Sequence, residues 1–221
     1  MSSSVDPDQF VRTVQPVLER KDLPGLLGLL KRLWTAEQMV SLLASRHCDA
    51  RKVAALSLSL VGCDKCLPAL AQQLKDPDPM VNQMAEHAMW SIWFRGGSQE
   101  ANHHVCRGAK AIDRGDYAHA ITHFDQAIQI CPNFPEAYNQ RALVKYLMEQ
   151  YPCSIADCKR AVELMPIHFG AWAGMGHCYA HQNQLPQAVE CYQKALSINP
   201  HMCQVRQTID ELRAQIIADA R

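Results

Sequence analysis

The chain holds 221 residues with 22 basic and 22 acidic side chains, so its formal net charge at neutral pH is zero. A composition 48% hydrophobic and 20% charged excludes wholesale disorder, and the neutral balance argues against partners won by long-range attraction, such as nucleic acid or an anionic membrane. Ten cysteines invite a disulfide framework. The N-terminus, Met-Ser-Ser-Ser-Val-Asp-Pro-Asp, has neither a basic n-region nor an apolar h-region. The longest nearly apolar run, Val53 to Val61, is broken by Ser57 and Ser59 and is far short of a membrane span. A cytoplasmic protein with reduced thiols is therefore expected.

Along the first half runs a period of 31 residues. Ala50-Arg51-x2-Ala54-x3-Leu58-x2-Val61 aligns with Val81-Asn82-x2-Ala85-x3-Met89-x2-Ile92, and Arg20, Leu27 and Leu30 stand in matching places one period earlier. Met39 and Leu43 align in the same way with Leu70 and Leu74. Apolar residues at three- and four-residue steps mark helices. Gly62-Cys63-Asp64 and Asp76-Pro77-Asp78-Pro79 break them, with Asp78 placed as an N-cap ahead of Pro79. The pattern resembles HEAT-like repeats of the phycobilin-lyase type over roughly residues 15–95, with Asn82 where that family carries its arginine in the last unit.

Trp90, Trp93 and Phe94 follow at helical spacing, which lets them pack on the next helix as a buried junction. Gly96-Gly97 is too short for an independent linker. The division expected is a helical repeat region over 1–97 and a second domain over 98–221, joined as one continuous α-solenoid.

In the second half Pro132, Pro166 and Pro200 are each 34 residues apart and close the segments AIQICP, AVELMP and ALSINP. Stacking blocks 101–134, 135–168 and 169–202 aligns Ala127, Ala161 and Ala195. It also aligns the small residues Ala120, Ser154 and Ala188, and again Gly108, Ala142 and Gly176. Phe124 and Tyr192 share one large position, Tyr138 and Trp172 another. Small side chains let two antiparallel helices approach, and a large one fills the space beside them. Proline ends the second helix of each pair. Gly115-Asp116, Gln150-Tyr151-Pro152 and Gln184-Leu185-Pro186 supply the turn within each block.

Three helix–turn–helix units at this period resemble the tetratricopeptide repeat family. Block 169–202 fits best, with Trp172, Met175, Gly176, Tyr179, Ala188, Tyr192, Ala195 and Pro200. Cys158 stands where the middle block should carry an aromatic, which predicts looser packing there. Residues 203–218 read as a capping helix with Val205, Ile209, Leu212 and Ile216 turned inward. The expected fold is all-α, a right-handed solenoid of HEAT-like units followed by three tetratricopeptide units and a cap.

The resemblance implies a peptide-binding groove lined by the first helices. Its positions fall on Asn102, Val105, Ile112, Glu136, Asn139, Leu143, Tyr146, Leu147, His177 and His181. Leu143, Tyr146 and Leu147 form its apolar centre, with Asn139, Tyr146 and His177 as orienting polar groups. The two-carboxylate clamp of chaperone-binding members needs Lys and Asn in the first helix and Lys and Arg in the third. Val105, Ala109, Gly170 and Gly174 stand there instead, so acidic chaperone tails are not the expected partner. A non-enzymatic scaffold or adaptor that binds a partner protein or peptide through apolar anchors is expected, with no cofactor.

The alternative is a HEAT-like lyase-type or metal-binding protein. Cys63-x2-Cys66 has half a zinc spacing, and His47-Cys48 would supply the rest. A helix over 49–61 would hold them about 20 Å apart. His177 and His181 share a helix face, with Glu211 as a third ligand on the cap. His119 and His123 are also four apart, on a face expected to meet solvent. No phosphate loop, nucleophile elbow or catalytic triad spacing occurs. The cysteine excess reads as packing by small buried hydrophobes, with redox response of exposed thiols as a further possibility.

Overall fold

A computed structural model describes residues 5–219, and among them the chain forms thirteen α-helices, one 3-10 turn and no strand. No helix among these residues is long and apolar enough to cross a membrane. Contacts divide the chain into two units, Met1–Trp93 and Phe94–Arg221.

The first unit comprises α1 (Pro7–Glu19), α2 (Leu23–Leu33), α3 (Ala36–Leu42), α4 (Cys48–Val61), α5 (Leu67–Gln73) and α6 (Pro79–Trp93). Side-chain caps set most of the starts. Asp6 and Asp22 accept from Asp8 N–H and Gly25 N–H, and Thr35 with Gln38 forms a reciprocal capping box. Asp78 accepts from the N–H groups of Met80 and Val81, the capping role its place before Pro79 implied. The aligned apolar positions of α4 and α6, Ala50, Ala54 and Leu58 with Val81, Ala85 and Met89, are all fully buried. Arg51 grips Asp76 through two bonds of 2.7 and 3.0 Å and also donates to the Ser45 carbonyl. One guanidinium thereby ties the loop before α4 to the loop before α6. Trp93 is buried in this unit and meets Trp90 edge-on at 5.0 Å.

In the second unit α7 (Gln99–Asp113) pairs with α8 (Tyr117–Ile130), α9 (Pro135–Leu147) with α10 (Tyr151–Leu164), and α11 (Phe169–His181) with α12 (Leu185–Ile198). α13 (Cys203–Asp219) packs on α12 and buries Val205 and Ile209, with Leu212 and Ile216 half-buried. Phe94 packs on the first core cluster of this unit, beside Ala101, Phe124 and Phe134.

The 34-residue register is visible in three sets of contacts. Gly115, Glu149 and Asn183 all take the left-handed backbone conformation in the turn between paired helices. Only glycine does so without a steric cost, so Glu149 is held there by its neighbours. Tyr138 Oη, Trp172 Nε1 and Arg206 each donate to the carbonyl of a repeat-closing proline, Pro132, Pro166 and Pro200. The third set is the small–large pair. A Cβ on Gly108 would come within 2.5 Å of the Phe124 ring, and one on Gly176 within 2.6 Å of the Tyr192 ring. In the middle repeat Ala142 and Cys158 share one core cluster, at 2% and 1% exposure. The residue opposite Cys158 carries a methyl where the other repeats have glycine, which fills part of the space the missing ring leaves.

Between the first two repeats lies an ionic seam. Arg141 on α9 bonds Asp157 at 2.8 and 2.6 Å and Asp125 at 2.6 Å, while Lys145 reaches Asp157 at 2.7 Å. The bonds to Asp157 hold the guanidinium's pKa above its ordinary value. Its face also lies over the Tyr138 ring.

Candidate functional site

The first helices α7, α9 and α11 carry the residues the sequence singles out, and they separate into two groups. On α9, Leu143 and Leu147 are 42% and 40% exposed, one turn apart, with Tyr146 beside them. Tyr146 Oη is hydrogen-bonded at 2.9 Å to His181 Nε2 on α11, so the two repeats are joined across this face. The His181 ring in turn stacks on Tyr151 at 5.0 Å and 12°. His177, one turn before His181, is hydrogen-bonded through Nδ1 to the Tyr192 hydroxyl at 2.7 Å. Burial raises the pKa of Tyr146 and Tyr192, most strongly Tyr192, which keeps both phenols protonated. His177 is exposed overall, but its ring packs on Tyr192 at 5.2 Å and is partly desolvated there. That desolvation and the adjacent His181 lower its pKa.

The second group is bonded or packed within the unit. Val105 is fully buried in the first core cluster, and Ile112 packs half-buried against it. Asn102 accepts from Gly97 N–H and donates to the carbonyls of Arg95 and Gly97, so its amide is spent on the turn into α7. Glu136 is also fully buried, bonded to His168 at 2.8 Å and to Gln140 at 2.6 Å, with Asn139 donating to the same carboxylate. Val105 and Glu136 thus do not reach the surface of the groove, whereas Asn102 is half-buried and lines an open pocket with Gln99, His103 and Cys106. Tyr151, Tyr192 and His168 were not among the residues the sequence placed in the groove. Tyr192 carries the repeat's large position, the one signal by which it could have been found.

The metal arrangements considered above do not assemble. Among the described residues no group of three or more His, Cys, Asp or Glu side chains is placed to hold a metal ion. Glu211 accepts from Gln207 at 2.9 Å. Cys48 and Cys63 flank the two ends of α4, about 20 Å long, and Cys48 donates to Asp78. His119 and His123 do not act as a pair. His119 is exposed and bonded to Asp116, whereas His123 is half-buried with its Nδ1 3.2 Å from His104 Nδ1. The solvent-facing reading fails for His123, which is taken up by a partner on α7.

All ten cysteines are free. Packing accounts for Cys66, Cys158, Cys178 and Cys191, which are buried; burial pushes the Cys191 thiol up to about 11. It does not account for Cys63, Cys106, Cys153 and Cys203, which are exposed.

Residues 170–202 match the family model described as tetratricopeptide repeat, and residues 110–149 match the one described as TPR repeat. The second unit contains tetratricopeptide repeats. Mouse (Mus musculus) sperm-associated antigen 1 is 28% identical over 116 residues, 52% of this chain and 13% of that protein. The small glutamine-rich tetratricopeptide repeat-containing protein 2 of Mycosarcoma maydis is 32% identical over 93 residues, 42% of this chain and 26% of that protein. The chain thus spans only a minor part of the length of these relatives. The tetratricopeptide unit is also similar in fold to the Sgt2 TPR domain from Aspergillus fumigatus, with a TM-score of 0.54 at 21% identity over 57% of this chain and 84% of that one. The first TPR of Spaghetti (RPAP3), determined with an HSP90 peptide, gives 0.53 at 22% identity over 55% and 95%.

At the four clamp positions of the tetratricopeptide unit no cation projects. Val105 is buried, and Gly174 leaves open space, with only Cys158 Sγ near, at 3.5 Å from where a Cβ would sit.

Proposed function

We propose that the tetratricopeptide unit is a non-enzymatic interaction module, an adaptor that holds a partner peptide against the exposed faces of α9 and α11. One observation carries this reading. Leu143 and Leu147 stay exposed on either side of Tyr146, whose hydroxyl is fixed to His181 on the next repeat. Solvated leucines beside an anchored polar pair offer apolar burial together with a fixed hydrogen-bonding reference, the combination that peptide grooves use. Val105, Ala109, Gly170 and Gly174 supply no charge for a terminal carboxylate, which favours a partner with apolar anchors over an acidic tail. Spaghetti (RPAP3) weighs the other way, since it holds an HSP90 peptide, so the acidic tail belongs in the test. Within the same proposal the first unit is a HEAT-like repeat region, on the strength of its 31-residue register. The cytoplasmic setting rests on the sequence alone.

The test is calorimetry with a purified partner identified by co-purification, alongside the peptide SRMEEVD. Leu143→Glu and Tyr146→Ala should each weaken the partner at least tenfold, about 1.4 kcal/mol, while SRMEEVD gives no measurable heat. Equal partner affinity for both variants and wild type would sink the proposal. Tight binding of SRMEEVD would replace the apolar partner with an acidic one.

A further inference from the structure

The two junctions of the tetratricopeptide stack are built from opposite chemistry at the same positions. One period after Asp125, Arg141, Lys145 and Asp157 stand Lys159, Met175, Tyr179 and Cys191. Every member of the ionic seam has been replaced by a residue that cannot continue it. Where the first junction is filled by a guanidinium between two carboxylates, the second holds a cavity of about 260 Å³ that opens to the surface.

Its interior is apolar and soft. Met175 and Cys191 are 3% and 6% exposed, and the half-buried rings of Trp172 and Tyr179 complete the wall with Val162. Trp172 has already given its only donor to the Pro166 carbonyl, so it presents a ring and no unmet hydrogen bond. The buried Cys191 thiol stays protonated. At the rim one cation, Lys159, stands with two carboxylates, Glu163 and Glu190, a balance that disfavours an anionic guest. Thioether, thiol and aromatic walls favour an aromatic guest, by edge contacts and sulfur–ring contacts. Size points the same way. An apolar cavity of about 150 Å³ is enough to take benzene, so this one accommodates a fused pair of rings.

We propose that the pocket between α10, α11 and α12 binds a small, neutral aromatic molecule of about the size of indole, seated between Trp172 and Tyr179 over Met175. The site is separate from the peptide-binding face. Trp172, Met175 and Tyr179 lie on the side of α11 away from His177 and His181, and none of Leu143, Tyr146, His177 or His181 lines it.

The experiment is a titration of the full chain with indole, followed by amide and methionine-methyl NMR shifts. Saturable shifts centred on Met175, Trp172 and Cys191 are expected, with a Kd on the order of millimolar for so few atoms. Transplanting the first junction, by Lys159→Asp, Met175→Arg and Cys191→Asp together, should weaken indole at least tenfold. Cys191→Leu, which fills the cavity without charge, should do the same and serves where the triple variant does not fold. Tyr146→Ala, on the other face, should leave indole affinity unchanged whether or not it abolishes peptide binding. No saturable shift, shifts centred on α9, or wild-type affinity in a folded pocket-filling variant would overturn the assignment.

Discussion

Nε2 of His168 donates to the Glu136 carboxylate across 2.8 Å, with both side chains wholly shielded from solvent. The direction of this bond follows from the other ring nitrogen, because His168 Nδ1 accepts the N–H of Ala171 at 3.1 Å and caps α11. A single imidazole thus starts one repeat's helix and ties it to the first turn of the previous repeat.

Removing the carboxylate strands buried donors on His168 and Gln140 at once. Glu136→Ala is therefore expected to cost about 3 kcal/mol or more, and Glu136→Gln distinctly less, since its amide oxygen still accepts from Nε2. Urea unfolding midpoints of the three proteins decide it; equal midpoints for the alanine and glutamine variants would show that the bond is energetically idle.

The small–large pairing predicts a coupled substitution. Cys158→Phe alone drives a ring against the Ala142 methyl and should destabilise by about 1–3 kcal/mol. With Ala142→Gly added, the middle repeat regains the Gly–Phe arrangement of Gly108 and Phe124. The double variant should then be more stable than Cys158→Phe, a coupling of about 1 kcal/mol or more in a double-mutant cycle. Strict additivity would show that the two positions do not share space.

His177 gives a pH dependence with a definite sign. Its folded pKa is lowered, so the folded protein takes up this proton less readily than the unfolded chain. Stability should fall as the pH drops through the ordinary imidazole range near 6.5, and level off once the folded group titrates. Relative to His177→Gln, wild type should lose about 1–3 °C of Tm between pH 7.5 and 5.5. His123, whose pKa is also lowered, is common to both proteins and cancels. Parallel melting curves across that range would remove His177 as the cause.

What the sequence conveyed and what it withheld divide along contact distance. Proline spacing, the Gly–Phe and Gly–Tyr pairs and the Asp78 cap are local or strictly periodic, and each is legible in one dimension. The binding face was legible only as far as its register. Position numbering placed Val105 and Glu136 on the surface with Leu143, although a valine is as content in a core and a glutamate is silent about a histidine 32 residues on. The Tyr146–His181 bond joins side chains 35 apart whose identities do not repeat, so no period announces it. Cys158 was legible only in part, for a related reason. The residue opposite it, Ala142, looks like an ordinary member of a small-residue column.

The change from an ionic junction to an apolar one, 34 residues apart, gives the two joints of one stack opposite sensitivities. Kosmotropic salts such as sulfate strengthen apolar burial, and ionic strength screens the exposed Asp125 end of the Arg141 seam more than its buried Asp157 end, so such salts favour the Met175 joint over the Arg141 joint. Cooling weakens apolar association, which reverses the ranking. The two joints of one stack are therefore expected to respond differently to the same change of solvent.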